Sequence, residues 1–344
     1  MKHQRFAAAT LAALFTLAAC AENPVGPTSN PSYAANSPSF ARGAASSYTF
    51  TRIDVPGATA TQPSGINAGG RVVGWYMQGG VTRGFIYDAG AWTTGIVYPG
   101  AAFTQLRGIG PDGTIVGVYR NANEVANPVA FHGFILTTDG VFIQLSFPGH
   151  VNNVTQRILP DGTLLGCYHD QDTMGSMHGA AYSRETYAPN SSTTSGEGYS
   201  SLDNPGSMTD GGTPGGGKLT GQVQDMSTSP SIQRAFVIDD GVFTPFDAPG
   251  SSATIAWDMN PAGTIVGLFV AAGSTHGFVL DHWRVAGGEV TGNYTTINFP
   301  LTSSTNAAYT DVFGINASGD IVGKFRETPT GFFHGYIATR KGGE

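Results

Sequence analysis

Cysteine is almost absent: two residues in a chain of 344, Cys20 and Cys167. A domain this poor in thiols has no disulfide framework, so packing must supply its stability. Charge is scarce as well. Charged residues make up 12% of the chain, with 17 Lys and Arg against 24 Asp and Glu, a net of −7. An acidic balance of that kind speaks against nucleic acid or an anionic lipid surface as partner. Helix formers are sparse. The sequence has no nucleophile elbow, no HExxH helix, no P-loop and no dinucleotide fingerprint. The Gly-rich stretch 211–221, GGTPGGGKLTG, lacks the spacing of a phosphate loop, and DQDTMG at 170–175 lacks the later Glu of a calcium loop. No cofactor and no metal site is expected. What the chain has in quantity is glycine, 49 residues, and apolar residues at 40%. Val, Ile, Thr, Tyr and Phe among many turn residues make an all-β composition.

The N-terminus stands apart. MKHQR is a short basic segment, and the apolar run after it is too short to span a bilayer comfortably. The run ends in Leu17-Ala18-Ala19-Cys20, which resembles the lipobox of bacterial lipoproteins. The resemblance implies cleavage before Cys20 and lipidation of that residue. Ala21 stands where an Asp would imply inner-membrane retention, which points to the outer membrane or cell surface. Residues 1–19 are then a signal peptide, and 20–47, rich in Pro, Ser, Asn and Ala, a lipid-anchored flexible tether. The mature chain carries a net of −9, since the leader holds Lys2 and Arg5 and no acid. The only expected membrane contact is the anchor at Cys20.

The rest repeats itself. Two apolar residues (apolar and Thr in one copy) followed by Gly recur at Gly74, Gly117, Gly166, Gly221, Gly267 and Gly323. Each lies on the second strand of a hairpin such as SGINAGGRVVGWY (64–76) and is followed by a third short strand, as in HGFILTTDG (132–140), and by a fourth that ends near Pro, as in FTPFDAPG (243–250). Gly closes the turns where a hairpin requires positive φ, and Pro ends the pairing because it has no donor. Four strands per unit of about 50 residues predict a β-propeller. Six units count out from Ser64. The last lacks its outer strand, and the leftover strand 48–56 is of the missing type. The expected fold is therefore all-β, a six-bladed β-propeller of four-stranded blades over 48–344, closed by the N-terminal strand. Unit four is the weakest, its first strand barely visible in a Gly/Ser/Thr-rich stretch.

The tripeptides His132-Gly133-Phe134, His276-Gly277-Phe278, His334-Gly335-Tyr336 and His178-Gly179-Ala180 resemble the bacterial extracellular repeat, HAF family. Arg83-Gly84-Phe85 and Arg234-Ala235-Phe236 depart from that pattern. The resemblance covers roughly 48–340 and implies architecture; the family is defined by its repeats and implies no particular activity. The four His are expected to fix their own blades, ring nitrogens bonded to backbone of the neighbouring loop.

Candidate binding residues lie where one copy breaks the rule. Aligned first strands put Gly65, Gly108, Arg157, Asp258 and Gly314 in one column, so Arg157 and Asp258 replace Gly. Arg107 occupies the column before. His150 follows a Pro-Gly loop, and His169 and Asp170 follow the second strand of unit three; Tyr119-Arg120 and Phe325-Arg326-Glu327 follow those of units two and six. Arg107, Arg157, His150, His169, Asp170 and Asp258 are expected to gather at the channel mouth and bind a ligand. Arg suits a carboxylate or sugar-like anion. The competing reading is solvated loops and channel-filling ion pairs. The first functional expectation is a lipid-anchored module of the cell envelope that binds a carbohydrate, an anionic small ligand or an envelope protein. The alternative is a propeller enzyme, a polysaccharide lyase or glycoside hydrolase.

Overall fold

The computed structural model describes residues 47–342, except 125–129, 148, 151, 170–176, 184–198, 203–205 and 228. The leader, Cys20, the tether and Asp170 lie outside the described residues. The chain opens with β1 (Tyr48–Ile53). Four four-stranded antiparallel sheets follow, each in chain order. They are β2 (Ala60–Ile66) to β5 (Ala91–Ile96) through β3 (Val72–Gln78) and β4 (Val81–Asp88); β6 (Ala101–Ile109) to β9 (Phe142–Leu145) through β7 (Ile115–Asn121) and β8 (His132–Leu136); β10 (Asn153–Ile158) to β13 (Tyr199–Ser201) through β11 (Leu164–His169) and β12 (Met177–Tyr182); and β14 (Ser207–Gly212) to β17 (Val242–Phe246) through β15 (Lys218–Asp225) and β16 (Ile232–Asp239).

A fifth sheet has eight strands. It divides into β18 (Ala253–Met259), β19 (Ile265–Ala271), β20 (Ser274–Ala286) and β21 (Glu289–Ile297), then β22 (Tyr309–Ile315), β23 (Ile321–Arg326), β24 (His334–Arg340) and β1. One parallel pair, Thr275 with Tyr309, joins the halves. β1 lies antiparallel on β24 from Tyr48↔Arg340 to Ile53↔Gly335, so the first strand of the chain covers the edge of the last. The first strands touch in a closed cycle: β2 on β6, β6 on β10, β10 on β14, β14 on β18, β18 on β22 and β22 back on β2.

Both faces of each sheet are buried, each against a different neighbour. Val73 and Ile86 pack on Leu106 and Ile109 of the next sheet. Val116 and Ile135 of that sheet turn the other way, onto Leu164 and Tyr182. The same relation closes the cycle, with Val322 and Ile337 packed on Ile66 and Val72. Each fully buried aliphatic or Phe in these layers contributes roughly 1.5–3 kcal/mol.

Every first strand carries a β-bulge at the same place. The ladder skips Ser64, Arg107, Gln156, Asp210, Trp257 and Phe313 in turn. The bulge explains the repeated glycine. A Cβ on Gly267 would fall on the carbonyl oxygen of Ile255 and the Phe278 ring, and one on Gly117 on Gln105 O and Phe134. The hairpin glycines Gly113, Gly162, Gly263 and Gly319 all take positive φ, 84–90°, as the turn reading requires. A second repeated device was not anticipated. Three residues before the bulge a hydroxyl accepts the amide that precedes the Pro loop: Thr61 from Val55, Thr104 from Tyr98, Thr254 from Ala248 and Thr310 from Phe299, at 2.9–3.1 Å. Unit four, weakest in sequence, is fully formed, and Asp210 and Gly211 complete the two columns.

Candidate functional site

The six bulged residues are all at most 5% exposed, and they lie on the first strands, whose contacts form the closed cycle. Trp257 stacks on Phe313 with ring centroids 5.0 Å apart, and its Nε1 donates to Asp311 Oδ1 at 3.0 Å. Next to the bulged residues lies the pair that replaces Gly. Arg157 Nε stands 3.3 Å from Asp258 Oδ1. Arg157 Nη1 donates to Arg107 O at 2.6 Å and Gln156 O at 2.9 Å, and Nη2 donates to Phe313 O. Asp258 accepts from the amides of Met259 (2.9 Å) and Ile315 (3.1 Å). One guanidinium thus ties together first strands from four units, β6, β10, β18 and β22. The two side chains are 6% and 13% exposed. Burial pushes the Asp258 carboxyl upward, and Arg157 and the two amides pull it back.

Below this brace, among the hairpin turns, is a cavity of about 90 Å³ lined by Asn67, Pro111, Pro160, Asn260, Pro261 and Asn316, with Arg157 and Asp258 in its wall. Pockets that hold drug-sized ligands run from roughly 300 Å³ upward, so this one accommodates a small ion or a few waters and not a sugar ring.

The histidines lie at the other end. Arg157 is next to the β10–β11 hairpin, whereas His169 pairs with Met177 at the far end of β11. Four residues of strand separate their levels, about 13 Å. His150 Nδ1 bonds His169 O at 2.9 Å, and its ring packs 4.5 Å from that of Tyr168. His169 is 2% exposed, with Nε2 3.9 Å from Cys167 Sγ, itself fully buried. This Cys–His pair has the elements of a nucleophile and base, but both side chains are buried, and buried structural thiols are inert. The expected gathering at one mouth is therefore corrected. Arg157, Asp258 and the backbone of Arg107 meet at the hairpin end, His150 and His169 meet at the opposite end, and Asp170 lies outside the described residues. The register decides this, because a strand carries its two ends to opposite faces of the ring.

Three of the four repeat histidines bond side chains rather than backbone, a second correction. His132 Nε2 contacts Glu124 at 3.0 Å, His276 Nδ1 contacts Asn298 Oδ1 at 2.8 Å, and His334 Nδ1 contacts Asp54 at 3.1 Å. In the departing unit four, Arg234 takes the same place and pairs with Asp247 at 2.9 Å. The Asp or Asn two residues before Pro supplies the partner in three of these cases, a signal readable from DVP, DAP and NFP. Among the described residues no three His, Cys, Asp or Glu side chains converge to hold a metal ion.

At the histidine end stand two further cations, Arg120 and Arg326, three residues after Gly117 and Gly323. Arg120 lies over Phe103 and Phe131, with Cζ 5.9 and 5.6 Å from the ring centroids; Arg326 lies over Tyr309 and Phe333, at 5.1 and 4.5 Å. Both were noted in sequence as loop residues and left out of the site. The signal that could have promoted them is the aromatic residue before each inner-strand Thr and before each His-Gly, present together only in those two units.

No family model matches the chain, and no curated protein matches it. Solved structures do. The β-propeller domain of the Trilobed protease of Pyrococcus furiosus is 11% identical over 83% of this chain and 94% of its own, with a TM-score of 0.45. TolB of Acinetobacter baumannii is 12% identical over 79% and 64%, TM-score 0.44. The Aleuria aurantia lectin, in complex with a fucosylated sugar, is 14% identical over 70% and 81%, TM-score 0.41.

Proposed function

We propose that the chain is a six-bladed β-propeller, closed by β1 on the last blade, that binds a ligand at the cell envelope without catalysing a reaction. The closed cycle of first strands and the β1–β24 pairing support the count, with the eight-stranded sheet taken as two blades linked by one residue pair. The observation that carries the non-catalytic reading is the fate of the rule-breaking charges. Arg157 and Asp258 bond each other and the backbone of four units, so they hold the ring rather than face substrate. The Cys167–His169 pair is buried too. Binding then falls to the loops at the end opposite the hairpins. Leu17 to Cys20 supports export and an acyl anchor at the outer membrane or cell surface.

A glycan array probed with residues 21–344 tests the reading. Binding without turnover is the expected result. Release of unsaturated or reducing-end product from a polyuronate, with no retained binding, overturns it. Fatty-acid labelling that is lost in Cys20→Ser tests the anchor, and labelling that persists refutes it.

A further inference from the structure

Six copies of one unit provide an internal comparison, and three positions differ together. The position three after the repeat Gly holds Met77, Arg120, His169, Gln224, Val270 and Arg326. The residue before the first-strand Thr, Asn or Ser is aromatic in units two and six, Phe103 and Tyr309, and Ala60, Asn152, Gly206 or Ala253 elsewhere. The residue before the tripeptide is Phe131 and Phe333 in the same two units, and Thr82, Met177, Gln233 or Thr275 elsewhere. Arginine and its two rings occur together or not at all. The rings are not needed for the backbone bonds made there: Phe333 O accepts from Thr61 N at 3.0 Å and Phe131 O from Asn153 N at 2.9 Å through carbonyls any residue supplies, and in unit three Met177 O accepts from Gly206 N at 2.6 Å with no aromatic at that position.

Each trio is built on cross-strand neighbours. Arg120 pairs with Phe103 and Arg326 with Tyr309 in the ladder, so the guanidinium lies on the ring directly opposite. Among the described residues neither guanidinium makes a hydrogen bond or ion pair, and both Nε atoms are covered without an acceptor. Burial lowers Arg120 from the usual guanidinium value, and the nearby Glu124 opposes that. Glu124, near Arg120, binds His132, and Glu327, the residue after Arg326, binds Arg52 at 2.8 Å. Lys324, whose Nζ donates to Gln62 at 2.8 Å, shares the Phe333 ring at 4.6 Å. Phe332 beside it is 64% exposed. In the unit between the two trios, the indole Nε1 of Trp75 also lacks an acceptor among the described residues.

We propose that Arg326 and Arg120 are the two anion anchors of one binding track, with Phe332 and Trp75 as apolar platforms, and that its ligand is a carboxylate-bearing polysaccharide. A planar guanidinium held by rings is oriented for bidentate carboxylate recognition, and aromatic faces suit the apolar side of a sugar ring. Two anchors with one unit between them suit a repeating chain rather than a monosaccharide, because the second contact is made at high effective concentration. On a protein of net charge −7 the attraction is local, so it must come from these side chains and not from the overall field.

This site rests on the binding-module reading, and the test separates the two. The full chain in mild detergent is titrated calorimetrically with polygalacturonate and alginate, with dextran and polyglutamate alongside. Expected is binding of a polyuronate and neither control, weakened roughly tenfold or more by Arg326→Ala or Arg120→Ala and by roughly a hundredfold in the double variant. Arg326→Lys, which keeps the charge and loses the fork, recovers only part of the loss. Near-ultraviolet circular dichroism shows that the variants are folded. No binding of either polyuronate, unchanged binding by the folded double variant, or equal binding of polyglutamate overturns the site. Arginine-dependent binding accompanied by cleavage upholds the site and overturns the non-catalytic reading.

Discussion

Arg157→Ala should be among the most damaging single substitutions in the molecule. The side chain is 6% exposed and makes one ion pair and three hydrogen bonds to carbonyls. Its removal leaves Asp258, 13% exposed, without its counter-charge and takes a donor from three carbonyls. Breaking a buried pair from one side costs about 3–5 kcal/mol, because the remaining charge stays desolvated. In a domain of this size each kcal/mol lowers Tm by about 2 °C, so a drop of about 6–10 °C is expected by calorimetry. Asp258→Ala in the Arg157→Ala background should add little, giving a coupling of about 2 kcal/mol in urea unfolding.

The pH dependence has a definite sign. Burial already raises the Asp258 carboxyl above its ordinary value, and loss of Arg157 raises it further. A carboxyl raised on folding favours the folded state when protonated and opposes it as pH rises through its folded value. The penalty of Arg157→Ala relative to the parent protein should therefore shrink as pH falls from neutrality toward 4. A loss below about 1 kcal/mol, additive single effects, or a penalty that grows on acidification would show that the pair does not brace the ring.

Gly267→Ala tests the bulge. The new Cβ meets the carbonyl of Ile255 and the Phe278 ring, neither of which can withdraw cheaply, so a loss of about 1–3 kcal/mol is expected in denaturant unfolding, and a neutral result would mean the first strand is not bulged. Thr254→Val keeps the shape but removes the acceptor for Ala248 N, 2.9 Å away and buried. It should cost about 1–3 kcal/mol, and Val at this position without loss of Tm would rule out the latch.

Much of the fold was legible because periodicity and turn chemistry are local. Gly113, Gly162, Gly263 and Gly319 announce hairpins through their positive φ, and 48–56 matches the strand that the last unit lacks. Unit four was obscure for a local reason as well: SMTDGG has small and polar residues where the other copies have larger ones, yet the ring places it by contact with both neighbours. The candidate site was legible only as a set of exceptions. Arg157 and Asp258 break the Gly column, but a sequence gives no sign that a guanidinium three units from Phe313 reaches its carbonyl. His169 and Arg157 belong to one hairpin yet face opposite ends of the molecule, since antiparallel strands separate residues that the chain holds twelve apart.

The amino-acid sequence by itself determined the unit, its strands, its turns and the strand that closes the ring, because each rests on side-chain alternation, on Gly at positive φ or on Pro without a donor. Tertiary structure alone decided which charges are internal and which are open. Arg157 and Arg326 are both arginines near strand ends. One finds an aspartate and two carbonyls supplied by other units, and the other finds two aromatic rings and, among the described residues, no acceptor. That difference depends on partners distant in the chain, which only closure of the ring brings into reach.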